Sequence, residues 1–202
     1  MLLDINAVVL SPTKPFTWTS GLKSPIYCDN RLTLAYPEVR RTIANGLSAL
    51  IRKHFPDVEI IAGTATAGIP HAAWVCEVME LPMVYVRGAA QTHGKGNLIE
   101  GVIKPKQRVV IVEDLISTGG SVIAAANALR ALGCEVLGAV AIFSYQLPQS
   151  EENFAKNNLP YHYLSDYNAL IAAATEEGII SPDQHDALIQ WRQAPDKWQP
   201  NI

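Results

Sequence analysis

A chain of 202 residues has the length of one ordinary domain, or of one core with a small appendage, which disfavours several independent units. Hydrophobic residues make up 49% and charged residues 17%, with 13 Gly and 13 Pro, a balance that excludes disordered, collagen-like and coiled-coil classes. The 16 Lys and Arg against 19 Asp and Glu leave a formal charge of −3 at pH 7, so no global field attracts nucleic acid or an acidic membrane and any anion site has to be local.

The first residues carry Asp4 and no basic lead, unlike a secretory leader, and no apolar run reaches the roughly 18 residues of a membrane-spanning helix. A cytoplasmic protein with no membrane anchor is expected. Residues 1–36 hold Pro12, Pro15 and Pro25 with the aromatics Phe16, Trp18 and Tyr27, and predict an irregular hood or arm packed on the core. Residues 37–54 open with proline in the first turn and predict a helix. An apolar, β-branched run at 58–62 predicts a buried strand, and 69–79, after Gly68, a second helix. A strand is predicted at 82–86. Residues 87–101 then hold Gly88, Gly94, Gly96 and Gly101 with almost no apolar side chains; a segment that cannot bury itself is expected to be a long mobile loop, and such loops are usually functional.

Beyond that loop, a strand is predicted at 108–112, a helix over 119–132 ending at Gly133, and a strand at 136–143. Ser181, Pro182 and Gln184 form a capping box with proline at the first helical position, starting a last helix through Ala187, Leu188 and Trp191; Trp198 is expected to pin the tail. Strands alternating with helices imply one α/β domain over 1–202, a mostly parallel sheet with helices on both faces and ligands beyond the carboxyl ends of the strands. Cys28, Cys76 and Cys134 are odd in number and far apart, which suits buried reduced thiols rather than disulfides or zinc.

The segment 109–121 (Val-Val-Ile-Val-Glu-Asp-Leu-Ile-Ser-Thr-Gly-Gly-Ser) is an apolar strand running into two acids, a hydroxyl and glycine turn, and a helix. Backbone N–H groups of Thr118, Gly119, Gly120 and Ser121 converge at the helix start, where the dipole favours an anion, and the hydroxyls of Ser117, Thr118 and Ser121 add donors: a cup for one phosphate monoester. Glu113 and Asp114, about one sugar's length before it, are placed to accept hydrogen bonds from vicinal hydroxyls. Phosphate plus diol points to a ribose 5-phosphate. A strand, a glycine turn and a helix also occur without a ligand, with Ser or Thr as a plain cap. Neither GxxxxGK[ST] nor GxGxxG after a strand is present, which excludes the nucleoside-triphosphate P-loop and the dinucleotide fingerprint.

This segment resembles the phosphoribosyl-pyrophosphate motif of the type I phosphoribosyltransferases. Together with 16–31 (Phe-Thr-Trp-Thr-Ser-Gly-Leu-Lys-Ser-Pro-Ile-Tyr-Cys-Asp-Asn-Arg), 63–71 (Gly-Thr-Ala-Thr-Ala-Gly-Ile-Pro-His), the 87–101 loop and 141–145 (Ala-Ile-Phe-Ser-Tyr), it resembles the orotate phosphoribosyltransferases, in the form found in Gram-positive bacteria. The phosphate motif alone reaches only the superfamily; the hood's Ser-Gly-Leu-Lys-Ser-Pro and the loop's His-Gly-Lys-Gly-Asn-Leu-Ile-Glu-Gly point to orotate. The resemblance implies the type I fold, transfer of a 5-phosphoribosyl group from phosphoribosyl pyrophosphate to orotate in pyrimidine synthesis, Mg²⁺ bound mainly through pyrophosphate and ribose oxygens, and a homodimer with shared active sites.

Carried over residue by residue, the resemblance gives Glu113 and Asp114 the ribose hydroxyls and Ser117 to Ser121 the 5-phosphate, with Leu115 and Ile116 in the same binding segment and Ser117 also near orotate. Thr64, Ala65 and Thr66 lie in the pyrophosphate loop 63–68, although Thr64 and Thr66 also suit an ordinary strand-to-helix turn. Lys23, Tyr27 and Arg31 lie in the hood that closes over the base, although Arg31 equally suits a surface ion pair. Arg87 and His93 match positions that grip pyrophosphate from the neighbouring subunit. Here the chain departs from the pattern: Gly88, Ala89 and Gln91 stand where the family usually places lysines, and Lys95, two residues after His93, is the nearest substitute. From 87 to 108 five basic residues still face Glu100 alone, so the region attracts anions. The alternatives left open are a phosphoribosyltransferase-like regulator with weakened catalysis and a transferase for another base. His54, His71, His162 and His185 are read as structural.

Overall fold

The computed structural model describes residues 1–18, 21–88 and 98–199. Two antiparallel ribbons build the hood. The strand β1 (Val8–Leu10) pairs with β4 (Ile26–Cys28), and β2 (Phe16–Thr17) pairs with β3 (Lys23–Ser24). A 3-10 helix, Asn30–Ala35, follows, started by Asp29, whose carboxylate accepts from the Arg31 amide. The expected irregular arm is therefore more ordered than its prolines and aromatics indicate, because each short strand gains its hydrogen bonds from a partner within the hood.

The helix α1 (Pro37–His54) begins at its proline and ends in Arg52, Lys53 and His54, cations that suit the negative end of the helix dipole. Next come β5 (Ile60–Thr64), α2 (Gly68–Met79), β6 (Met83–Val86), β7 (Ile99–Glu100), β8 (Arg108–Ile116), α3 (Gly120–Ala131) and β9 (Glu135–Ser144). Together with β10 (Tyr161–Asp166) the long strands make a six-stranded sheet in the order β10-β9-β8-β5-β6-β7, parallel throughout except for β6–β7. Alternation along β8 sends Val109 and Ile111 to a core under α3, and Val110 and Val112 to a core under α1 and α2, so both faces are covered. A third cluster joins the hood to the far end of β9 and to α5 (Tyr167–Glu176) and α6 (Pro182–Gln193); Trp198 packs against it, as expected of the tail.

Within 87–101, where a loop is expected throughout, Ile99–Glu100 pairs antiparallel with Tyr85 and Val86, and Ile99 is buried. Pairing supplies the hydrogen bonds and the neighbouring sheet supplies the burial that the segment's own composition lacks. The strand predicted at 108–112 runs on through both acids to Ile116, because β9 offers partners as far as Ser144. The strand β10, α4 (Pro148–Lys156) and α5 have no counterpart among the sequence expectations. Edge strand β10 is half-buried with no apolar run, so pairing with β9 decides it. Cys28, Cys76 and Cys134 are buried and free. No helix among the described residues is long and apolar enough to cross a membrane.

Candidate active site

The carboxyl ends of β5 and β8 lie side by side in parallel register, Gly63 opposite Val112, which brings the loop after β5 against the two acids. Gly68 makes this approach possible. A Cβ there would lie 2.5 Å from Thr64 Oγ1 and 2.6 Å from the Val112 carbonyl, so any side chain pushes the start of α2 off β8. Gly68→Ala is expected to cost about 1–3 kcal/mol, as overpacking does; a lower urea midpoint at unchanged m is the signature, and an unshifted midpoint refutes the close approach.

The two acids differ in environment. Glu113 is only 6% exposed, whereas Asp114 is half-buried. Thr64 and the start of α2 close over Glu113, which leaves Asp114 the more open of the two acids placed to accept from a diol. Burial first, and then the hydrogen bond and charge of the Asp114 carboxyl, push the Glu113 carboxyl well above the ordinary carboxylate range. The Thr64 hydroxyl, which also reaches Val112 O at 3.2 Å, and the Asp114 amide, 2.9 Å from Glu113 Oε1, act in the opposite direction.

A carboxyl raised in the folded state makes folded protein bind the proton more tightly than unfolded chain. Its stability contribution is full below the ordinary glutamate range and declines as pH rises towards the folded value. Glu113→Gln removes that decline. The variant is expected to be more stable than the parent at about pH 8 and equal to it near pH 4, as chemical denaturation at both pH values reads out. An advantage that survives acidification would exclude Glu113 as its source.

The turn after β8 places Gly119 in the left-handed region at φ +81° as the cap of α3, and no side chain caps that helix start. The first-turn amides therefore lack both intrahelical and side-chain acceptors, which is what an anion site requires. Thr118, Gly120 and Ser121 are exposed and Ser117 half-buried. Ile116 is wholly buried in the core and Leu115 packs against the hood cluster, because alternation along β8 sends their side chains to opposite faces. In the neighbouring loop, the Ala65 amide donates to Val86 O at 2.8 Å, extending the β5–β6 ladder and removing it as a donor for an anion. Thr66 is exposed, and the Ala65–Thr66 peptide is cis.

The hood reaches the acids through a residue that sequence reasoning did not single out. Asn30, buried at 1% exposure, donates from Nδ2 to the Asp114 carbonyl at 2.8 Å. The Thr33 hydroxyl donates to Asn30 O at 2.6 Å, so towards His71 Nε2, at 3.5 Å, it can only accept. His71 Nε2 thus carries the proton; burial lowers the His71 pKa to about 4 and keeps the ring neutral. An Asn between Asp29 and Arg31 has no chemical signature of its own, and only its distant partner reveals the tether.

Arg31 holds Asp29 through Nε–Oδ1 at 2.6 Å and Nη2–Oδ2 at 2.8 Å, the surface ion pair that was its alternative reading. Asp114 nevertheless lies close enough to act on the Arg31 charge. Tyr27 is exposed beside Phe16, and Lys23 Nζ donates to Thr17 Oγ1 at 2.6 Å. Arg87 Nη1 pairs with Glu100 Oε1 at 3.1 Å across the base of the β6–β7 hairpin. His93 and Lys95, like Ala89 and Gln91, lie outside the described residues. His54 and His162 stack at 3.6 Å between ring centroids, away from these segments. Among the described residues no three His, Cys, Asp or Glu side chains gather as a metal cage.

The profile of the phosphoribosyl transferase domain matches residues 36–166, from the start of α1 to the end of β10. The orotate phosphoribosyltransferase of Bacillus caldolyticus is 60% identical over 197 residues, covering 98% of this chain and 95% of the relative. That of Bacillus subtilis is 57% identical, covering 96% and 90%. Among solved structures, the orotate phosphoribosyltransferase of Aeropyrum pernix superposes with a TM-score of 0.76 at 26% identity, covering 89% of this chain and 97% of the other. A parallel sheet with acids at its carboxyl edge, an uncapped glycine turn beside them and identity of this extent lead to one conclusion: the chain belongs to the orotate phosphoribosyltransferases, within the phosphoribosyl transferase domain family.

Proposed function

We propose that the chain transfers the 5-phosphoribosyl group from phosphoribosyl pyrophosphate to orotate, giving orotidine 5-phosphate and pyrophosphate in pyrimidine nucleotide synthesis. The observation that carries this reading is the packing of the acid pair Glu113–Asp114 between the uncapped Gly119 turn and the Gly63–Gly68 loop. A phosphate, a diol and a leaving pyrophosphate need three such sites within one sugar's length.

In this reading Asp114 accepts hydrogen bonds from the ribose hydroxyls and orients the sugar, while Glu113, enclosed beneath it, supports its position. The amides and hydroxyls of Ser117 to Ser121 hold the 5-phosphate. Thr64 and Thr66 border the leaving pyrophosphate. Lys23, Tyr27 and Arg31 line the hood over the base, and Arg87, His93 and Lys95 bring donors to pyrophosphate from a second copy in a homodimer. The orotate ring nitrogen, its proton released to solvent or to the leaving pyrophosphate, bonds to the anomeric carbon as the carbon–oxygen bond to pyrophosphate breaks, so negative charge grows on the leaving group and positive charge on the sugar. Enclosure by the hood excludes the water that would hydrolyse that sugar.

Mg²⁺, when bound, offsets the pyrophosphate charge. The side chains suit such an ion: Asp114 offers a hard oxygen, and a cation that keeps most of its ligands from substrate and water needs no protein cage. Free, buried Cys28, Cys76 and Cys134 suit a reducing compartment, and we place the protein in the cytoplasm.

The test is purified protein with Mg²⁺, phosphoribosyl pyrophosphate and, in parallel, orotate, uracil, hypoxanthine or adenine, following pyrophosphate release. Consumption of orotate alone supports the proposal; turnover of another base refutes it. The absence of lysine at Gly88 favours one second reading, a regulator that binds the sugar phosphate tightly without turnover, and the same assay with a binding titration separates the two.

A further inference from the structure

We propose that Asn153, on α4, is a positioning residue for the reaction: by holding the Thr118 carbonyl it turns the Gly119 amide of the same peptide towards the 5-phosphate. Asn153 Nδ2 donates to Thr118 O at 2.9 Å. Its Oδ1 accepts from Gln149 Nε2 at 3.0 Å, one helical turn earlier, which fixes which way the Asn153 amide faces. The Thr118–Gly119 peptide is not among the cis bonds, and in a planar trans peptide C=O and N–H point in opposite directions. A carbonyl held by α4 therefore sends the Gly119 N–H away from α4, to join the first-turn amides of α3 that no side chain caps.

The same helix supports the turn a second time. At Gly119 the Phe154 ring stands where a side chain would: a Cβ there would lie 2.6 Å from Phe154 Cε2. Phe154 is buried and stacks on Tyr161 of β10 at 4.0 Å. One hydrogen bond and one ring from α4 thus define both the direction of the peptide and the space beneath it. A bound anion then meets an amide already aimed, so less ordering accompanies binding.

The inference rests on residues 117–121 holding the 5-phosphate, a group that does not react. An interaction equally strong in ground and transition states sets KM and not kcat. Asn153→Ala is accordingly expected to raise the Kd and KM for phosphoribosyl pyrophosphate about tenfold, the scale of one hydrogen bond to a charged group. Its kcat should stay within about twofold and its orotate KM should not move. Gln149→Ala should shift the same two constants in the same direction by less.

Calorimetric titration with phosphoribosyl pyrophosphate and Mg²⁺, steady-state kinetics in both substrates and thermal melts on the full chain read these effects. Parental affinity in Asn153→Ala overturns the proposal. So does a fall in kcat and both affinities together with a lowered melting temperature, which marks a merely structural role. The double variant Thr118→Val/Ser121→Ala separates the two layers. If it loses the sugar phosphate while Asn153→Ala keeps it, the phosphate cup stands and the positioning role fails; if neither variant weakens binding, both readings fail.

Discussion

Asp114→Asn is expected to lower turnover by about 10²–10³-fold, the typical effect of losing one preorganised charged contact, with little change in stability. The side chain keeps its shape but presents an amide donor where ribose hydroxyls need an acceptor. The fold does not depend on that carboxylate in the same way. Around it, the backbone is held by Asn30 Nδ2 on the Asp114 carbonyl and by the Asp114 amide on Glu113 Oε1, and both bonds survive the substitution. Removing the neighbouring acid also takes away two of the influences that raise the Glu113 carboxyl, so any stability change should be favourable at neutral pH. Initial rates with orotate and phosphoribosyl pyrophosphate, beside a melting curve, decide the matter; parental turnover would remove Asp114 from the sugar.

Trp191→Ala acts on the other end of the molecule, through stability. Trp191 is fully buried, with Trp18 edge-on at 5.7 Å, Tyr167 at 5.4 Å and Tyr145 at 6.1 Å, and its indole donates to Lys23 O at 3.0 Å. It therefore joins α6 to the hood and to the end of β9. Truncation is expected to cost about 3–5 kcal/mol, the usual range for a buried Trp. For a chain of this size that corresponds to a melting temperature lower by roughly 6–20 °C. Because Lys23 and Tyr27 ride on the same hood, orotate KM should rise with it. Trp191→Phe, which keeps most of the ring contact but not the donor, should lose only about 1–2 kcal/mol. A melt of Trp191→Ala superimposable on the parent's would show that the hood is held elsewhere.

The wider fold was legible where the code is local. Proline at the first turn marks the start of α1, and the Ser181–Gln184 capping box marks α6, because both are interactions within four residues of the helix start. Apolar runs revealed β5, β6, β8 and β9, since strands buried on both faces leave no polar positions to confuse the pattern. Edge elements were not legible. Strands β7 and β10 owe their hydrogen bonds to β6 and β9, and the far end of β8 continues through two acids with poor intrinsic strand preference because β9 lies beside it.

In the site, the residue types were readable and their states were not. Two acids at a strand end, then a small-residue turn and a helix start, are the chemistry on which the proposed anion and diol sites rest, and that order can be read from the chain. Which acid is enclosed depends on Thr64 and on the absence of a side chain at Gly68; that Arg31 is committed to Asp29 depends on rotamers; that Ala65 has no amide to offer depends on Val86. Asn30 and Asn153 hold partners 84 and 35 residues away. The sequence by itself determined the alternating α/β pattern, the helix caps and the chemistry of the Glu113–Ser121 segment, since these follow from periodicity and short-range bonds. Tertiary structure alone decided burial, proton affinity and hydrogen-bond direction at the site, because each of these is set by atoms that become neighbours only when the chain closes on itself.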